Sequence, residues 1–199
     1  FLIREHPGLP VYFLGESLAA SLVLKTAAEW PQGLAGIVLS AVELRPLVTP
    51  KLGEIIRYLP KMLFDSRSNV IQMGERERLV SRDPKHFPRA RLDPLRCEQF
   101  SVRSVVEAHI LIQEWPALAR KLSTPCLILQ GGGDLLTDPQ AAYELLAAIT
   151  SPDKELAFFP QAYHGLFYDP DTPQVLEALG RWLTRRRASN ASEVRRRSD

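Results

Sequence analysis

Short apolar runs alternate with longer helical patterns at both ends of this chain. The apolar runs predict buried strands at 11–15, 36–40, 126–130 and 156–159. Residues 17–30 are rich in alanine and leucine and stop at Pro31, which is typical of a helix. A second helix with one apolar face is predicted to start near Thr172. Short apolar strands that alternate with helices predict an α/β fold, with a mostly parallel sheet flanked by helices.

The interval 45–122 lacks this alternation. It is rich in arginine and proline, contains amphipathic segments and shows no convincing strand, so we predict a helical insertion after the second strand. Several apolar residues in it recur at helical spacing and would either line a lipid pocket or, as is more common, pack internally. They are Ile55, Ile56, Leu59, Met62, Leu63 and Phe64.

These patterns divide the chain into four parts. They are a first core part at 1–44, a helical cap or lid at 45–122, a second core part at 123–187 and a basic tail at 188–199. We expect the tail to be solvated and disordered. Much of the excess charge behind the formal value of +2 lies there, so composition gives no reason to infer a nucleic-acid partner.

The cysteines and the hydropathy argue against disulfide-rich, metal-binding and membrane-spanning proteins. Cys97 and Cys126 are far apart and follow no repeated spacing, so we expect two free thiols rather than a disulfide framework or a metal site. No apolar run reaches the length that crosses a membrane. We therefore expect a cytoplasmic protein.

The segment PVYFLGESLAAS, residues 10–21, allows two interpretations of Ser17. A serine between a strand and a helix can cap the helix with its hydroxyl. The same context, strand, Gly15, Glu16, Ser17 and an immediate helix, is the one that a nucleophile elbow requires. A nucleophilic serine also needs a histidine base and an acid that orients it.

Both partners come after later strands. Asp134 ends the turn GGGD after the strand at 126–130, and His164 lies in the loop PQAYHG after the strand at 156–159. The carboxyl ends of parallel strands share one edge of a sheet, so the three side chains are predicted to converge there. The order serine, aspartate, histidine is also the one expected for a nucleophile elbow in this kind of sheet.

Other polar residues near these positions have simpler roles. Asp138 is better explained as the cap of the next helix. Asp169 and Asp171 are predicted to shape the turn into the last helix. Tyr163 is predicted to pack, and Glu16 either tunes the pocket or faces solvent. The remaining histidines have no strand-end context, and they are His6, His86 and His109.

At these residues the chain resembles the monoacylglycerol lipase and lysophospholipase group of α/β-hydrolases, also described as serine aminopeptidases. The resemblance rests on PVYFLGESLAA, SRDP followed by DPL, LSTPCLILQGGGDLLTDP and AYHGLFYDP, and it extends to about Thr184. Two features depart from the family. Ala19 and Ala20 replace the usual glycines, and the strands and the His-Gly oxyanion loop that normally precede the elbow do not precede Phe1. We therefore expect the C-terminal portion of a hydrolase.

The resemblance implies an acyl transfer through a covalent serine intermediate. Ser17 would be the nucleophile, Asp134 the acid and His164 the base, and the backbone N–H of Leu18 would donate to the oxyanion hole. The implied substrate is a lipophilic ester, without a metal or organic cofactor, and the insertion would bind the acyl chain and make transient contact with a membrane surface. Two alternatives stay open: a short-chain esterase, amidase or peptidase of the same fold, and an inactive truncated hydrolase. The oligomeric state is not predicted.

Overall fold

A computed structural model describes residues 2–6, 8–47, 60, 64–65, 67, 69–72, 78–97 and 99–198. The strands are β1 (Val11–Glu16), β2 (Leu34–Ser40), β3 (Asn69–Gln72), β4 (Gln99–Ser101), β5 (Cys126–Gly131) and β6 (Lys154–Phe159). The helices are α1 (Leu2–Glu5), α2 (Leu18–Glu29), α3 (His86–Ala90), α4 (Val102–Gln113), α5 (Trp115–Ala119), α6 (Gln140–Ala148) and α7 (Thr172–Ser198). A 3₁₀ turn spans Leu166–Tyr168.

The predicted parallel sheet is confirmed. Its strands lie in the order β1-β2-β5-β6, and each neighbouring pair is parallel. In the pairing register, Glu16 lies opposite Ser40, and Ser40 lies opposite Leu129. The segments after these strands therefore meet at one edge of the sheet, as the sequence predicted.

Helices cover both faces of this sheet. Alternate side chains of β2 point to opposite faces, so Ile37 and Leu39 pack with α2 and α6 in one core cluster, while Val38 packs in the other. Leu127 of β5 and Trp182 of α7 belong to that second cluster. Every residue of β5 is buried, which explains why residues 126–129 are continuously apolar rather than alternating.

The interval 45–122 differs from the prediction in two respects. It contains an antiparallel pair of strands, β3 and β4, where we expected none. Its last part joins the core, because Leu118, Ala119 and Leu122 pack in the same cluster as α2. Helix α4 begins where Ser101 Oγ accepts a hydrogen bond from Ser104 N at 3.1 Å.

Most of the apolar residues named for the insertion lie outside the described residues. They are Ile55, Ile56, Leu59, Met62 and Leu63. Phe64 is described, and 88% of its surface is exposed. It therefore does not pack against the described part of the chain.

The end of the chain also differs from the prediction. Helix α7 continues to Ser198, although we expected residues 188–199 to be disordered. The segment contains arginine and alanine, which favour helices, and neither glycine nor proline interrupts it. Among the helices of the described residues, none is both long and apolar enough to cross a membrane.

Candidate active site

Ser17 lies in the sharp turn between β1 and α2. Its φ of 58° and ψ of −127° fall in a region that residues other than glycine rarely adopt. Its side chain forms no hydrogen bond to the start of α2, so the capping interpretation is wrong. Leu18 is the first residue of α2, and its N–H therefore has no carbonyl partner within the helix.

The small residues around Ser17 allow this turn. A Cβ on Gly15 would lie 2.4 Å from the carbonyl oxygen of Ala19, so only glycine fits there. Ala20 is fully buried in the core, whereas Ala19 is exposed. The methyl group of Ala19 therefore points away from the close approach, which explains how alanine replaces glycine at this position.

His164 connects Ser17 with Asp134. Its Nε2 lies 2.8 Å from Ser17 Oγ, and its Nδ1 lies 2.8 Å from Asp134 Oδ2. The carboxylate of Asp134 can only accept, so the ring proton belongs on Nδ1 and leaves Nε2 to accept the hydroxyl of Ser17. The structure thus brings the three predicted residues together in one hydrogen-bonded series.

Asp134 is held by four donors. Its Oδ1 accepts from Leu136 N at 2.8 Å and Thr137 N at 3.0 Å, and its Oδ2 also accepts from Gln130 Nε2 at 3.3 Å. Its side chain is fully buried. These bonds fix the carboxylate that orients His164. Gln130, the last polar residue before the GGGD turn, was not among the site residues predicted from the sequence.

Two further carboxylates lie near His164. Glu16 accepts from Ser40 Oγ at 3.4 Å and from backbone N–H groups in the 3₁₀ turn, so it faces the site rather than solvent. Glu43, three residues beyond β2, interacts electrostatically with both His164 and Asp134. Burial is the main cause that raises the pKa of each glutamate.

The pKa of His164 is raised despite its burial. Desolvation is the largest single influence and lowers this pKa, but the hydrogen bond and charge of Asp134, together with the charges of Glu16 and Glu43, outweigh it. Glu43 was not among the site residues predicted from the sequence. The rule that found Asp134, a polar residue just beyond a strand, also points to Glu43 after β2.

The loop that carries His164 is bound to three consecutive residues of the insertion, Val80, Ser81 and Arg82. Val80 O accepts from Gly165 N at 2.7 Å, and Ser81 Oγ donates to Tyr168 O at 2.6 Å. Arg82 pairs with Asp169, Nη2 to Oδ1 at 2.5 Å. Residues 80–82 therefore form a clip that holds the segment directly after His164, at Gly165, Tyr168 and Asp169.

Asp169 does more than shape a turn. Its buried side chain accepts from Arg82 N and Nε, from Tyr163 N at 3.2 Å and from Asp171 N at 3.3 Å. Burial is the largest single influence on its pKa and raises it, but these hydrogen bonds together hold the pKa below its ordinary value. The SRDP motif thus has a structural reason, because its arginine neutralises this buried carboxylate.

In the described part of the chain, the remaining candidates form no hydrogen bond to the triad residues. Asp138 caps α6 as expected, since its Oδ1 accepts from Gln140 N at 3.0 Å. His6 and His109 are exposed, and the ring of His86 lies 5.1 Å from that of Tyr168. Within the described residues, no group of three or more His, Cys, Asp or Glu side chains could hold a metal ion. Both cysteines are free.

The fold and the site together define the class of protein to which this chain belongs. A serine on a strained strand-to-helix turn, with an acid and a histidine later in the chain at the same edge of a parallel sheet, is the arrangement of the α/β-hydrolase fold. The family model described as Hydrolase_4, serine aminopeptidase S33, matches residues 1–171. The chain belongs to this family.

Relatives and solved structures agree with this membership. The monoglyceride lipase of Homo sapiens is 32% identical over 197 residues, which cover 94% of this chain and 62% of that protein. The monoacylglycerol lipase of Mycolicibacterium smegmatis is 28% identical over 183 residues, 90% of this chain and 64% of that protein. The chain thus spans less than two thirds of the length of these relatives.

Two solved structures have the same fold. The monoacylglycerol lipase of Paleococcus ferrophilus superposes with a TM-score of 0.80 at 24% identity, over 93% of this chain and 72% of that one. A soluble variant of the monoglyceride lipase from Saccharomyces cerevisiae, in complex with a substrate analog, superposes with a TM-score of 0.78 at 21% identity, over 93% and 64%. At these identities the likeness shows the fold alone.

Proposed function

We propose that this chain carries the catalytic triad of a serine carboxylic-ester hydrolase that cleaves lipophilic esters such as monoacylglycerols or lysophospholipids. Ser17 is the nucleophile, His164 the base and Asp134 the acid, and Leu18 N–H is one donor of the oxyanion hole. The observation that carries the proposal is the series of two 2.8 Å contacts from Ser17 through His164 to Asp134.

The proposed ester hydrolysis follows from these hydrogen-bonded contacts between Ser17, His164 and Asp134. His164 Nε2 takes the hydroxyl proton as Ser17 Oγ attacks the ester carbonyl, and Asp134 stabilises the imidazolium that forms. The carbonyl oxygen becomes negative and accepts from Leu18 N–H, a contribution worth about 10²–10³ in rate for one such donor. His164 then protonates the leaving alcohol. Water, activated by the same histidine, releases the acid and restores Ser17.

The lipophilic substrate is supported by family membership and by the names of the relatives. Proteins called monoglyceride or monoacylglycerol lipases are similar to this chain over at least 90% of its length. The contact of the insertion with a membrane surface remains a prediction from the resemblance, and the cytoplasmic location remains a prediction from the cysteines and the hydropathy.

Labelling with a fluorophosphonate probe tests the triad. The 199-residue chain is expected to be labelled on Ser17, and Ser17→Ala is expected to abolish labelling. Ser104→Ala serves as the matched control, because this exposed serine lies far along the chain on α4. His164→Gln and Asp134→Asn are expected to slow labelling. Equal labelling of Ser17→Ala and the unchanged chain would refute the assignment of the nucleophile.

The alternative that this chain is an inactive, truncated hydrolase predicts a different outcome in the same assay. If oxyanion donors from residues before Phe1 are required, the 199-residue chain stays unlabelled, and a version extended at its start is labelled on Ser17. Absence of labelling in both versions would contradict the proposed function.

A second candidate is an amidase or peptidase with the same triad, favoured by the description of the family as serine aminopeptidases. Hydrolysis rates should be compared for monoacylglycerols of graded acyl length, short-chain nitrophenyl esters and aminoacyl amides. A rate that rises with acyl length supports the lipophilic substrate. Preference for short esters or for amides would overturn that assignment and leave the triad in place.

A further inference from the structure

Glu43 comes after the strand that lies between the nucleophile and the acid. Strand β2 is paired with β1, which precedes Ser17, on one side and with β5, which precedes Asp134, on the other. A side chain just beyond the carboxyl end of β2 is therefore flanked by both halves of the site.

The backbone turns sharply at this point. Ala41 has a φ of 44°, in the left-handed region, and its N–H donates to Leu129 O at 2.9 Å. Leu44 N donates to Val42 O at 2.9 Å, so Glu43 is the central residue of a tight three-residue turn. Val42 and Leu44 are buried in the core cluster. The turn thus fixes the backbone of Glu43 between two anchored neighbours.

The segment after this turn is joined to the loop that holds Asp134. Leu47 N donates to Leu136 O at 2.9 Å, and Arg45 O accepts from Asp138 N at 3.0 Å. Leu136 N in turn donates to Asp134 Oδ1. Glu43 and Asp134 therefore lie on two loops that are joined to each other by backbone hydrogen bonds.

Three carboxylates act on His164, and they differ in what they are bound to. Asp134 is hydrogen-bonded to the ring, and Glu16 accepts from Ser40 and from the 3₁₀ turn. Glu43 interacts with His164 through its charge, and its carboxylate has no hydrogen-bond partner in the described part of the chain. It is half-buried, so this charge is not fully screened by water.

We propose that Glu43 is a second acidic positioning residue of the site, which acts through His164 and shares with Asp134 the stabilisation of its protonated ring. This role rests on the proposed function and deepens it. When His164 accepts the proton of Ser17, the positive charge faces carboxylates on both flanking loops. The site therefore retains part of its base strength when Asp134 is neutralised.

A titration of His164 tests the role without requiring activity. The ring signals are monitored by NMR against pH and are assigned by their loss in His164→Gln. Glu43→Gln is expected to lower the pKa of His164 by at least about 0.5 unit, because an opposite charge nearby favours the protonated ring. Glu107→Gln removes the same charge from an exposed position on α4 and is the matched control. A shift no larger than that of the control would overturn the proposal.

Double variants test whether Glu43 and Asp134 share the stabilisation of the protonated His164 ring, as distinct from a purely structural effect of Glu43. Asp134→Asn is expected to keep residual fluorophosphonate labelling. The double variant with Asp134→Asn and Glu43→Gln should be labelled about tenfold more slowly than Asp134→Asn alone. The double variant with Asp134→Asn and Glu107→Gln should be labelled at the same rate as Asp134→Asn alone. Equal labelling of Asp134→Asn with and without Glu43→Gln would refute the sharing. Glu43→Ala is used in place of Glu43→Gln if thermal unfolding shows that the amide variant is not folded. If no variant is labelled, either in the 199-residue chain or in the version extended at its start, the proposed function fails, and the titration still decides the role of Glu43.

Discussion

The buried ion pair between Arg82 and Asp169 provides a quantitative test of the clip at residues 80–82. The substitution Asp169→Asn keeps the shape of the side chain and removes its charge. One carboxylate oxygen accepts from Tyr163 N and the other from Asp171 N. An amide can place its oxygen on only one side, so at least one backbone N–H then faces an NH₂ group.

The expected loss of stability can be worked out from these contacts. Loss of one partner of a buried ion pair typically costs about 3–5 kcal/mol. Here Arg82 is 28% exposed and keeps Asp171 at 3.0 Å, which reduces the penalty for the unpaired guanidinium. An unsatisfied buried N–H adds about 1–3 kcal/mol. With the ion-pair contribution reduced to about 1 kcal/mol, we expect the free energy of unfolding to fall by about 2–4 kcal/mol in total.

Urea unfolding measures this change, with the midpoint shifted and the m-value unchanged. Asp171→Asn is the matched control, since it touches the same arginine but is 25% exposed, and it should cost less than about 1 kcal/mol. If Asp169→Asn stays within about 0.5 kcal/mol of the unchanged chain, or costs no more than Asp171→Asn, the Arg82–Asp169 pair does not stabilise the fold as expected.

The pH dependence of the same variant supplies a second check. The pKa of Asp169 is lowered in the folded chain, so its charge contributes stability above its unfolded pKa of about 3.9, and this contribution disappears as pH falls through the folded value. The difference between the unchanged chain and Asp169→Asn should therefore be full at pH 7 and shrink below about pH 4.

Single contacts give four further predictions. Gly15→Ala should prevent stable folding at the elbow, because its Cβ would lie 2.4 Å from a backbone oxygen; a circular-dichroism melt like that of the unchanged chain would contradict this. Ser17→Gly should abolish fluorophosphonate labelling yet raise the free energy of unfolding by about 1 kcal/mol in urea, by relieving a positive φ. The rate of labelling against pH should reach half its maximum above about pH 6.5, because the pKa of His164 is raised and only its neutral form accepts a proton; a midpoint below about 6.5 would refute this. A thiol reagent should modify Cys97 in the native chain and both cysteines only in denaturant, since Cys126 is buried and desolvation raises its pKa to about 12; two reactive native thiols would contradict the burial.

Much of the site could be predicted because it lies at the ends of buried strands. The apolar runs that precede Ser17, Asp134 and His164 are short and continuous, and parallel strands bring the residues after their carboxyl ends to one edge of the sheet. The pairing of β3 with β4 was missed because short, weakly apolar strands carry little periodic signal.

The choice between capping and nucleophilic roles for Ser17 required the tertiary structure. Both interpretations place a serine hydroxyl at the start of the same helix, and the residues around it fit either one. The φ of 58° and the bond to His164, 147 positions away, decide between them. A hydrogen bond over such a separation depends on how β1 and β6 are placed in one sheet, which local pattern does not specify.

The sequence by itself determined the four strands of the parallel sheet, the sheet edge that carries the polar residues, and the residue types that make acyl transfer chemically reasonable. Only the tertiary structure decided that Arg82 neutralises Asp169, and that the charge of Glu43 acts on His164 and Asp134. The physical reason is that hydrophobic periodicity is a local property of the chain. Charge pairing and desolvation depend instead on which distant segments are packed against each other.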